Sequence, residues 1–161
     1  MGTTPSLAGK AAIVSGSSSG IGKAVAQLFA AEGAAVVVNS SASVEAGRAV
    51  AAALPDAVYV QADISDETQV QALIDAAMQR WGRLDVLVNN AATTVPIPHA
   101  DLDAVTDEVW RRIFDVNILG TWYMCRAAAK AMRQSGGGAI VNVSSIGGVR
   151  AMGSSIPYCT A

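Results

Sequence analysis

Cysteine and histidine are scarce in this sequence, which excludes two kinds of site. The two cysteines, Cys125 and Cys159, fit neither a disulfide framework nor the spacing of a metal motif, so we expect reduced, partly buried thiols. The single histidine, His99, lies beside Pro98 and cannot build a metal cluster. We expect it to be a solvated loop residue, with contact to a substrate as the alternative. No metal site is predicted.

Charge is also sparse, and long apolar runs are missing. Charged residues make up 15% of the chain, the net charge is −2, and lysine and arginine form no block. A nucleic-acid partner is therefore not expected. No apolar stretch approaches the roughly 20 residues that cross a bilayer, and the first ten residues lack the apolar core of a signal peptide. We expect a cytoplasmic protein with no membrane partner.

Hydrophobic residues are abundant, at 52% of 161 residues, which is enough for one domain with a substantial core. Short apolar runs alternate with helical patterns and predict strands at residues 11–15, 35–39, 57–61, 84–89 and 139–144. Several runs are continuous and β-branched, which is typical of parallel strands covered on both faces. The alternation predicts an α/β fold, a doubly wound parallel sheet with helices on both faces.

A glycine-rich turn with the sequence SGSSSGIG occupies residues 15–22, directly after the first predicted strand. Glycines let the backbone turn tightly, and the free N–H groups of a following helix favour an anion such as a diphosphate. The alternative is a plain tight connection between strand and helix. The helix after the turn is predicted to pack through Ile21, Ala24, Val25, Leu28 and Phe29.

The segment at residues 66–81 carries the clearest helix signals. Ser65 is predicted as the N-cap, and Gly82 as the residue that ends the helix. One apolar stripe is formed by Val70, Leu73, Ile74, Ala77, Met78 and Trp81.

Polar residues stand at three positions where a site is expected. Asp63 and Asn89 follow or end predicted strands, where ligands of open α/β sheets bind, although side chains there also satisfy nearby backbone groups. Asn117 lies within a long helix predicted at residues 107–132. It shares the inward stripe of Val109, Ile113, Val116, Gly120, Met124, Ala127 and Ala131. A buried amide needs hydrogen-bond partners, so Asn117 serves either the fold or a reacting centre.

Taken in order, these segments resemble the short-chain dehydrogenase/reductase family over essentially the whole chain. The resemblance is carried by the glycine turn at 15–22, Asp63, the NNAA sequence at 89–92, Asn117, the VNVSS sequence at 141–145, and Tyr158. It implies a Rossmann fold that binds NAD(H) or NADP(H) and reversible hydride transfer between the nicotinamide and an alcohol or carbonyl substrate.

The resemblance also implies the site residues. Tyr158 would be the general acid/base, Ser145 would hydrogen-bond the substrate oxygen, and Asn117 would hold a water in a proton relay. The implied cofactor contacts are Gly16, Ser18, Ser19, Gly20, Ile21, Gly22, Asn39, Ser40, Asp63, Ile64, Asn90 and Ala91.

The sequence departs from the family pattern after Tyr158. A lysine is expected four residues later, where it would bind the nicotinamide ribose and lower the pKa of the tyrosine, but the sequence stops at Ala161. Later strands and a substrate-covering loop are expected to be missing too. We therefore expect a single NAD(P)-binding domain over residues 1–161 that is incomplete at its C-terminus, with little turnover, an uncovered sheet edge and a tendency to associate.

Cofactor preference depends on the end of the second strand. No acidic residue follows Val38 to repel a 2′-phosphate, and the donors Asn39, Ser40 and Ser41 tolerate one, which favours NADP(H) over NAD(H). No arginine stands at position 19 or 40 to hold the phosphate, since both positions are serine.

Three functional interpretations compete at this stage. An NAD(P)-dependent oxidoreductase explains the polar residues best, with a homodimer or homotetramer expected for a full-length form. A catalytically inactive dinucleotide-binding fragment explains the missing lysine. A structural interaction protein leaves the polar residues without a purpose, and a serine hydrolase lacks both a suitable histidine and the G-x-S-x-G turn.

Overall fold

The fold is seen in a computed structural model that describes residues 5–161. Five strands form one sheet: β1 (Ala11–Val14), β2 (Ala35–Ser40), β3 (Ala57–Gln61), β4 (Val86–Asn89) and β5 (Ala139–Asn142). Seven α-helices accompany them: α1 (Gly20–Ala31), α2 (Val44–Ala52), α3 (Glu67–Trp81), α4 (Asp107–Phe114), α5 (Thr121–Gln134), α6 (Gly147–Arg150) and α7 (Ile156–Thr160). A π-helical segment, Asp115–Gly120, joins α4 to α5.

The sheet is parallel throughout, with strand order β3-β2-β1-β4-β5. The chain winds outward from β1 to β3 and then returns to place β4 on the other side of β1. This reversal leaves a crevice between the carboxyl ends of β1 and β4, where ligands of such sheets bind. The predicted doubly wound α/β sheet of the Rossmann type is confirmed.

Helices cover both faces of the sheet because side chains alternate along each strand. Ile13 and Val37 point into the layer packed against α3 and α5, where Leu73 and Met124 are fully buried. The opposite face packs against α1 and α2 through Val14, Val36, Val38, Ala26 and Val50. Lys10 and Arg83 bind the buried Asp85 at the other end of the sheet, far from the crevice.

Helix α3 largely follows the prediction, with one correction at its start. Gly82 ends the helix in the left-handed conformation, with φ of 69°. The N-cap is Asp66 rather than Ser65, because a carboxylate oxygen of Asp66 accepts a hydrogen bond from the Thr68 N–H at 2.8 Å. The Ser65 hydroxyl instead donates to Asp63 Oδ1 at 2.7 Å.

The packing face predicted for α1 is only partly right. Val25 and Phe29 are half-buried and pack against the hydrophobic cluster on this side of the sheet, as predicted. Ile21, Ala24 and Leu28 are exposed instead. The helix turns its smallest residues, Gly22, Ala26 and Ala30, towards the sheet, while Ile21 and Leu28 are 65% and 59% exposed. Small residues four apart let the helix axis approach the strands closely, and this close approach outweighs the burial of larger side chains.

The long helix predicted at residues 107–132 is also interrupted. The π-helical segment adds a wider turn between α4 and α5, and Gly120 in it packs against Ile64. Such turns often mark functional sites in helices. The predicted inward stripe survives at Ile113, Gly120, Met124 and Ala131, which are all buried. The segment after β5 contains the short helix α6.

Candidate functional site

The glycine turn lies at the reversal point of the sheet, between β1 and α1. Gly16 has φ of +64°, and a Cβ there would lie 2.8 Å from the Cα of Ala91. A Cβ on Gly22 would lie 2.5 Å from both the Gly16 carbonyl oxygen and the Asn90 amide nitrogen. Only glycine fits at these two positions, so the turn is held tightly against the chain that follows β4.

Hydrogen bonds from Ser15 and Asn90 join the turn to the end of β4. The Ser15 hydroxyl oxygen accepts from the backbone N–H groups of Asn90 and Ala91, both at 3.0 Å. The Asn90 amide donates to the carbonyl oxygens of Ser15 and Gly16 at 2.9 and 3.2 Å. These contacts fix the backbone of both strand ends before any ligand arrives.

The side chain of Asn39 supports the same turn from the β2 side. It is 1% exposed, and its Oδ1 accepts from the Gly16 N–H at 3.2 Å. Its amide nitrogen donates to the carbonyl oxygens of Val60 and Ala62 at 3.2 and 3.0 Å. The amide of Asn39 is thus used by the protein backbone, although the residue borders the groove described next.

A groove of about 870 Å³ opens above the turn and the carboxyl ends of β1, β2 and β3. We call it the cofactor groove. Its lining includes all the predicted cofactor contacts except Gly22, namely Gly16, Ser18, Ser19, Gly20, Ile21, Asn39, Ser40, Asp63, Ile64, Asn90 and Ala91. Gly22 lies beneath the turn, against Gly16 and Asn90, and supports the groove from below.

Several residues of the cofactor groove were not predicted from the sequence. Arg112 and Asp115 border it from α4 and the π-helical segment, together with Val116. Ala42 and Ser43 extend the lining beyond Ser40 and Ser41. Arg112 and Val116 are four residues apart, which places them on one side of a helix. This helical spacing is the sequence feature from which their common position could have been predicted.

Asp63 satisfies groups of its own loop and also borders the cofactor groove. Its Oδ1 accepts hydrogen bonds from the Ser65 N–H and hydroxyl, at 2.9 and 2.7 Å, and so closes the loop before α3. The residue also lines the cofactor groove and is only partly buried. One carboxylate oxygen therefore serves the loop, and the side chain still faces the groove.

A second groove of about 510 Å³ adjoins the first and brings the three predicted catalytic residues together. We call it the reaction groove. Asn117, Ser145 and Tyr158 all line it, coming from the π-helical segment, the chain after β5, and α7. The two grooves share Ile21 and residues 90–92, so a molecule in one groove is adjacent to a molecule in the other.

Asn117 and Ser145 already have partners within the protein. The Asn117 side chain pairs with the backbone of Thr93, accepting from its N–H at 2.9 Å and donating to its carbonyl at 3.1 Å. The Ser145 hydroxyl oxygen accepts from the Gly147 N–H at 3.1 Å, which leaves its proton available to another acceptor. Asn117 therefore fixes the chain that borders the reaction groove.

Asn89 adds an unsatisfied polar atom to the wall of the reaction groove. Its amide nitrogen donates to Asn142 Oδ1 at 2.8 Å and to Cys125 Sγ at 3.2 Å. Its buried Oδ1 has no hydrogen-bond partner among residues 5–161. A buried acceptor of this kind is costly unless a donor reaches it, as a water or ligand group would.

His99 and the cysteines lie outside both groove linings. His99 is exposed, and its Nε2 lies 2.7 Å from the Ser154 carbonyl oxygen, so it links the loops after β4 and α6. Cys125 and Cys159 are both free and half-buried. No helix among residues 5–161 is long and apolar enough to cross a membrane.

Comparison with known proteins identifies the family. The model of the short chain dehydrogenase family matches residues 10–161. The chain belongs to the short-chain dehydrogenase family. This family assignment agrees with the position of the glycine turn and the two adjoining grooves.

Relatives of this chain include proteins named as reductases and dehydrogenases. A Streptomyces violaceoruber protein named as ketoacyl reductase 2 of the granaticin polyketide synthase is 59% identical over 93% of this chain and 60% of its own length. The cis-4-hydroxycyclohexanecarboxylate dehydrogenase of Sinomonas cyclohexanicum is 41% identical over 96% of this chain and 62% of its own length.

Solved structures show the same fold. The crystal structure of a short-chain dehydrogenase/reductase from Burkholderia xenovorans superimposes with a TM-score of 0.88 at 33% identity, covering 94% of this chain and 65% of that one. The chain thus spans about 60% of the length of these named relatives.

Proposed function

We propose that this chain is the cofactor-binding part of an NAD(P)-dependent oxidoreductase that acts on an alcohol or carbonyl substrate. The observation that carries the proposal is the junction of the two grooves. A turn built for a phosphate lies in one, and Asn117, Ser145 and Tyr158 meet in the other. Family membership supports oxidoreductase chemistry, and the adjoining grooves give each reactant a place.

The cofactor groove fits a dinucleotide. Gly16 and Gly22 place no side chain between the turn and the chain after β4, and α1 begins at Gly20 beside the groove. The free N–H groups of the first turn of α1 would favour a diphosphate there. Ser18, Ser19 and Ile21 would hold the diphosphate region, with Asp63 and Ile64 at the far end. When bound, the nicotinamide ring would supply the hydride acceptor or donor.

In the reaction groove the protein's own residues would move a proton and hold an oxygen atom. Tyr158 would give a proton to the carbonyl oxygen or take one from the alcohol, and the free proton of Ser145 would hydrogen-bond the same oxygen. Asn117 would keep the Thr93 backbone in place at the groove wall, with a relay water as its second role.

The tyrosine would need help to act near neutral pH. A free tyrosine titrates near ~10, so operation near pH 7 requires about 3 units of lowering, or roughly 4 kcal/mol. No lysine lines the reaction groove within residues 5–161. We therefore propose that the 161-residue chain binds cofactor but turns over slowly, which keeps an inactive dinucleotide-binding module as the second candidate function.

For the cofactor, we propose a preference for NADP(H) over NAD(H). The groove wall at the end of β2 is formed by Ser40 and Ser41, and no carboxylate stands there to repel a 2′-phosphate. Hydroxyl donors suit an anionic oxygen.

For the substrate, we propose a secondary alcohol or the matching ketone. The relatives named above are a ketoacyl reductase and a dehydrogenase of a hydroxycyclohexane carboxylate. We also propose a cytoplasmic location, no nucleic-acid partner, and a homodimer or homotetramer for a full-length form. The exposed side chains of Leu119 and Trp122 give such an assembly an apolar contact surface.

The test combines binding and turnover. The 161-residue chain is titrated with NADPH and NADH by cofactor fluorescence, and oxidation of each is followed with a panel of cyclic ketones. We expect saturable binding, tighter for NADPH, and turnover close to the background of a Tyr158→Phe control. Robust turnover that survives the Tyr158→Phe substitution would contradict the assigned role of the tyrosine.

A further inference from the structure

The end of β2 carries a pair of hydroxyl groups that the proposed chemistry does not use. The Ser40 hydroxyl oxygen lies 2.9 Å from the Tyr59 phenol oxygen on β3, and the phenol oxygen is 3.4 Å from the Ser40 carbonyl oxygen. Ser40 is 6% exposed and lines the cofactor groove. Tyr59 does not line that groove and reaches it only through Ser40.

The Tyr59 ring is positioned by its neighbours on β2 and α2. In the parallel ladder, Tyr59 pairs with Val38, which places its hydroxyl beside the last residue of β2. The ring also packs against Gly47 of α2, where a Cβ would lie 2.6 Å from Tyr59 Cδ2. Glycine at this position makes room for the ring, so the phenol oxygen has one settled location.

Tyr59 and Ser40 can share this hydrogen bond in either direction. A separation of 2.9 Å is normal for two hydroxyl oxygens, whereas the 3.4 Å to the carbonyl oxygen is long, so the bond between the two hydroxyl groups is the stronger contact. A phenol O–H is a better hydrogen-bond donor than an aliphatic O–H, which favours Tyr59 as the donor. In that arrangement the Ser40 proton is free for an acceptor in the groove that Ser40 lines.

We propose that Tyr59 is a positioning residue for cofactor selection, holding Ser40 as a hydrogen-bond donor to the 2′-phosphate of NADP(H). A phosphate oxygen has only lone pairs to offer, so a correctly oriented O–H makes a charge-assisted bond with it. NAD(H) carries a hydroxyl at that position, which can donate or accept and gains less from the arrangement. This inference rests on the proposed function, because it concerns the same groove.

The experiment compares NADPH and NADH binding in Tyr59→Phe, which keeps the ring against Gly47 and removes only the hydroxyl. We expect NADPH affinity to fall about tenfold and NADH affinity to change less than about twofold. Tyr123→Phe is the matched control, since Tyr123 lies on α5 outside both grooves, and it should change neither.

Ser40→Ala gives a second variant in case Tyr59→Phe does not fold, and it should show the same selective loss. The double variant should lose no more than Ser40→Ala alone, because Tyr59 acts through Ser40. Equal losses for both cofactors, or no loss in either single variant, would overturn the inference while leaving dinucleotide binding intact. Failure of the unsubstituted chain to bind either cofactor would overturn the proposed function as well.

Discussion

Asp85 is the residue on which the far end of the sheet depends. The Arg83 guanidinium donates to it at 2.6 and 2.7 Å, and the Ala11 N–H and the Lys10 ammonium add bonds at 2.9 and 3.3 Å. These donors, Arg83 foremost, hold the pKa of Asp85 at about 2, below its ordinary value of 3.8. Because the folded-state pKa is lowered, the stabilisation is present above about pH 4 and is lost as the pH falls towards 2.

Replacing Asp85 by asparagine should therefore remove about 2 kcal/mol of the free energy of unfolding at pH 7. The measurement is urea unfolding of both proteins at pH 7 and pH 3. The difference between them should shrink at the lower pH. An undiminished difference at pH 3 would assign the effect to packing rather than to charge.

Ser15 stabilises the backbone at the carboxyl ends of the strands, beside the cofactor groove. Its buried hydroxyl oxygen accepts two backbone N–H groups, so Ser15→Ala leaves both donors unpaired. We expect a loss of about 1–3 kcal/mol in the free energy of unfolding, measured by urea titration, together with weaker NADPH binding. Ser19→Ala is the control for stability alone, because the Ser19 side chain makes no capping bond at the start of α1. An equal loss in the free energy of unfolding from the two substitutions would contradict this role of Ser15.

At the scale of elements, the close approach of the π-helical segment to the loop before α3 shapes the cofactor groove. A Cβ on Gly120 would lie 2.8 Å from Ile64 Cγ1 and 3.0 Å from the Ile64 carbonyl oxygen. Ile64 lines the cofactor groove, as does Val116 on the π-helical segment. Moving the π-helical segment away from the loop before α3 would therefore widen the cofactor groove.

Gly120→Ala should destabilise the protein by about 1–3 kcal/mol through overpacking, although alanine is the better helix former by about 1 kcal/mol. Thermal unfolding measures this effect. In Gly148→Ala the added methyl group meets only the Cys159 carbonyl oxygen, at 3.8 Å, and this control should be close to neutral. A stabilised Gly120→Ala protein would show that the contact with Ile64 relaxes freely.

Local signals and tertiary contacts explain which elements the sequence could predict. Helix α3 and its stop at Gly82 follow from side-chain period and glycine conformation, which act within a few residues. The π-helical segment could not be predicted, because its residues fit an ordinary helix, and its contacts with Thr93 and Ile64 join parts of the chain that are distant in sequence. The face of α1 was predicted only in part, since the helix places Gly22, Ala26 and Ala30 against the sheet and leaves Ile21 and Leu28 exposed.

In the candidate site, too, some residues could be predicted from the sequence and others could not. Glycine spacing, strand ends and the family resemblance predicted the residues that line the groove, because these features can be recognised directly in the sequence. The support given by Asn39 to Gly16, and by Tyr59 to Ser40, joins strands that are distant in sequence. No local pattern marks such pairs. The assignments of catalytic roles to Asn117, Ser145 and Tyr158 stay predictions.

At the scale of the whole molecule, the sheet formed within residues 5–161 has an exposed edge at β5. β5 is an edge strand of the sheet, all four of its residues are exposed, and Ile140 and Val141 are 38% and 49% exposed. Val143 and Val149 extend the apolar surface nearby. An edge of this kind can pair with another chain.

The 161-residue protein should therefore associate as its concentration rises, and Val141→Lys should reduce that association. Sedimentation velocity over a range of concentrations measures both. Lys23→Ala, a substitution at an exposed α1 position away from this edge, should leave association unchanged. A protein that stays monomeric at all concentrations would contradict the prediction.

The central claim, dinucleotide binding over the glycine turn, is tested most directly by backbone amide NMR spectra of the 161-residue protein during NADPH titration. We predict saturable shifts centred on residues 16–22, 63–64 and 90–91, with little change at Lys10, Arg83 and Asp85 at the opposite end of the sheet. An unchanged spectrum, or shifts confined to that opposite end, would contradict the account.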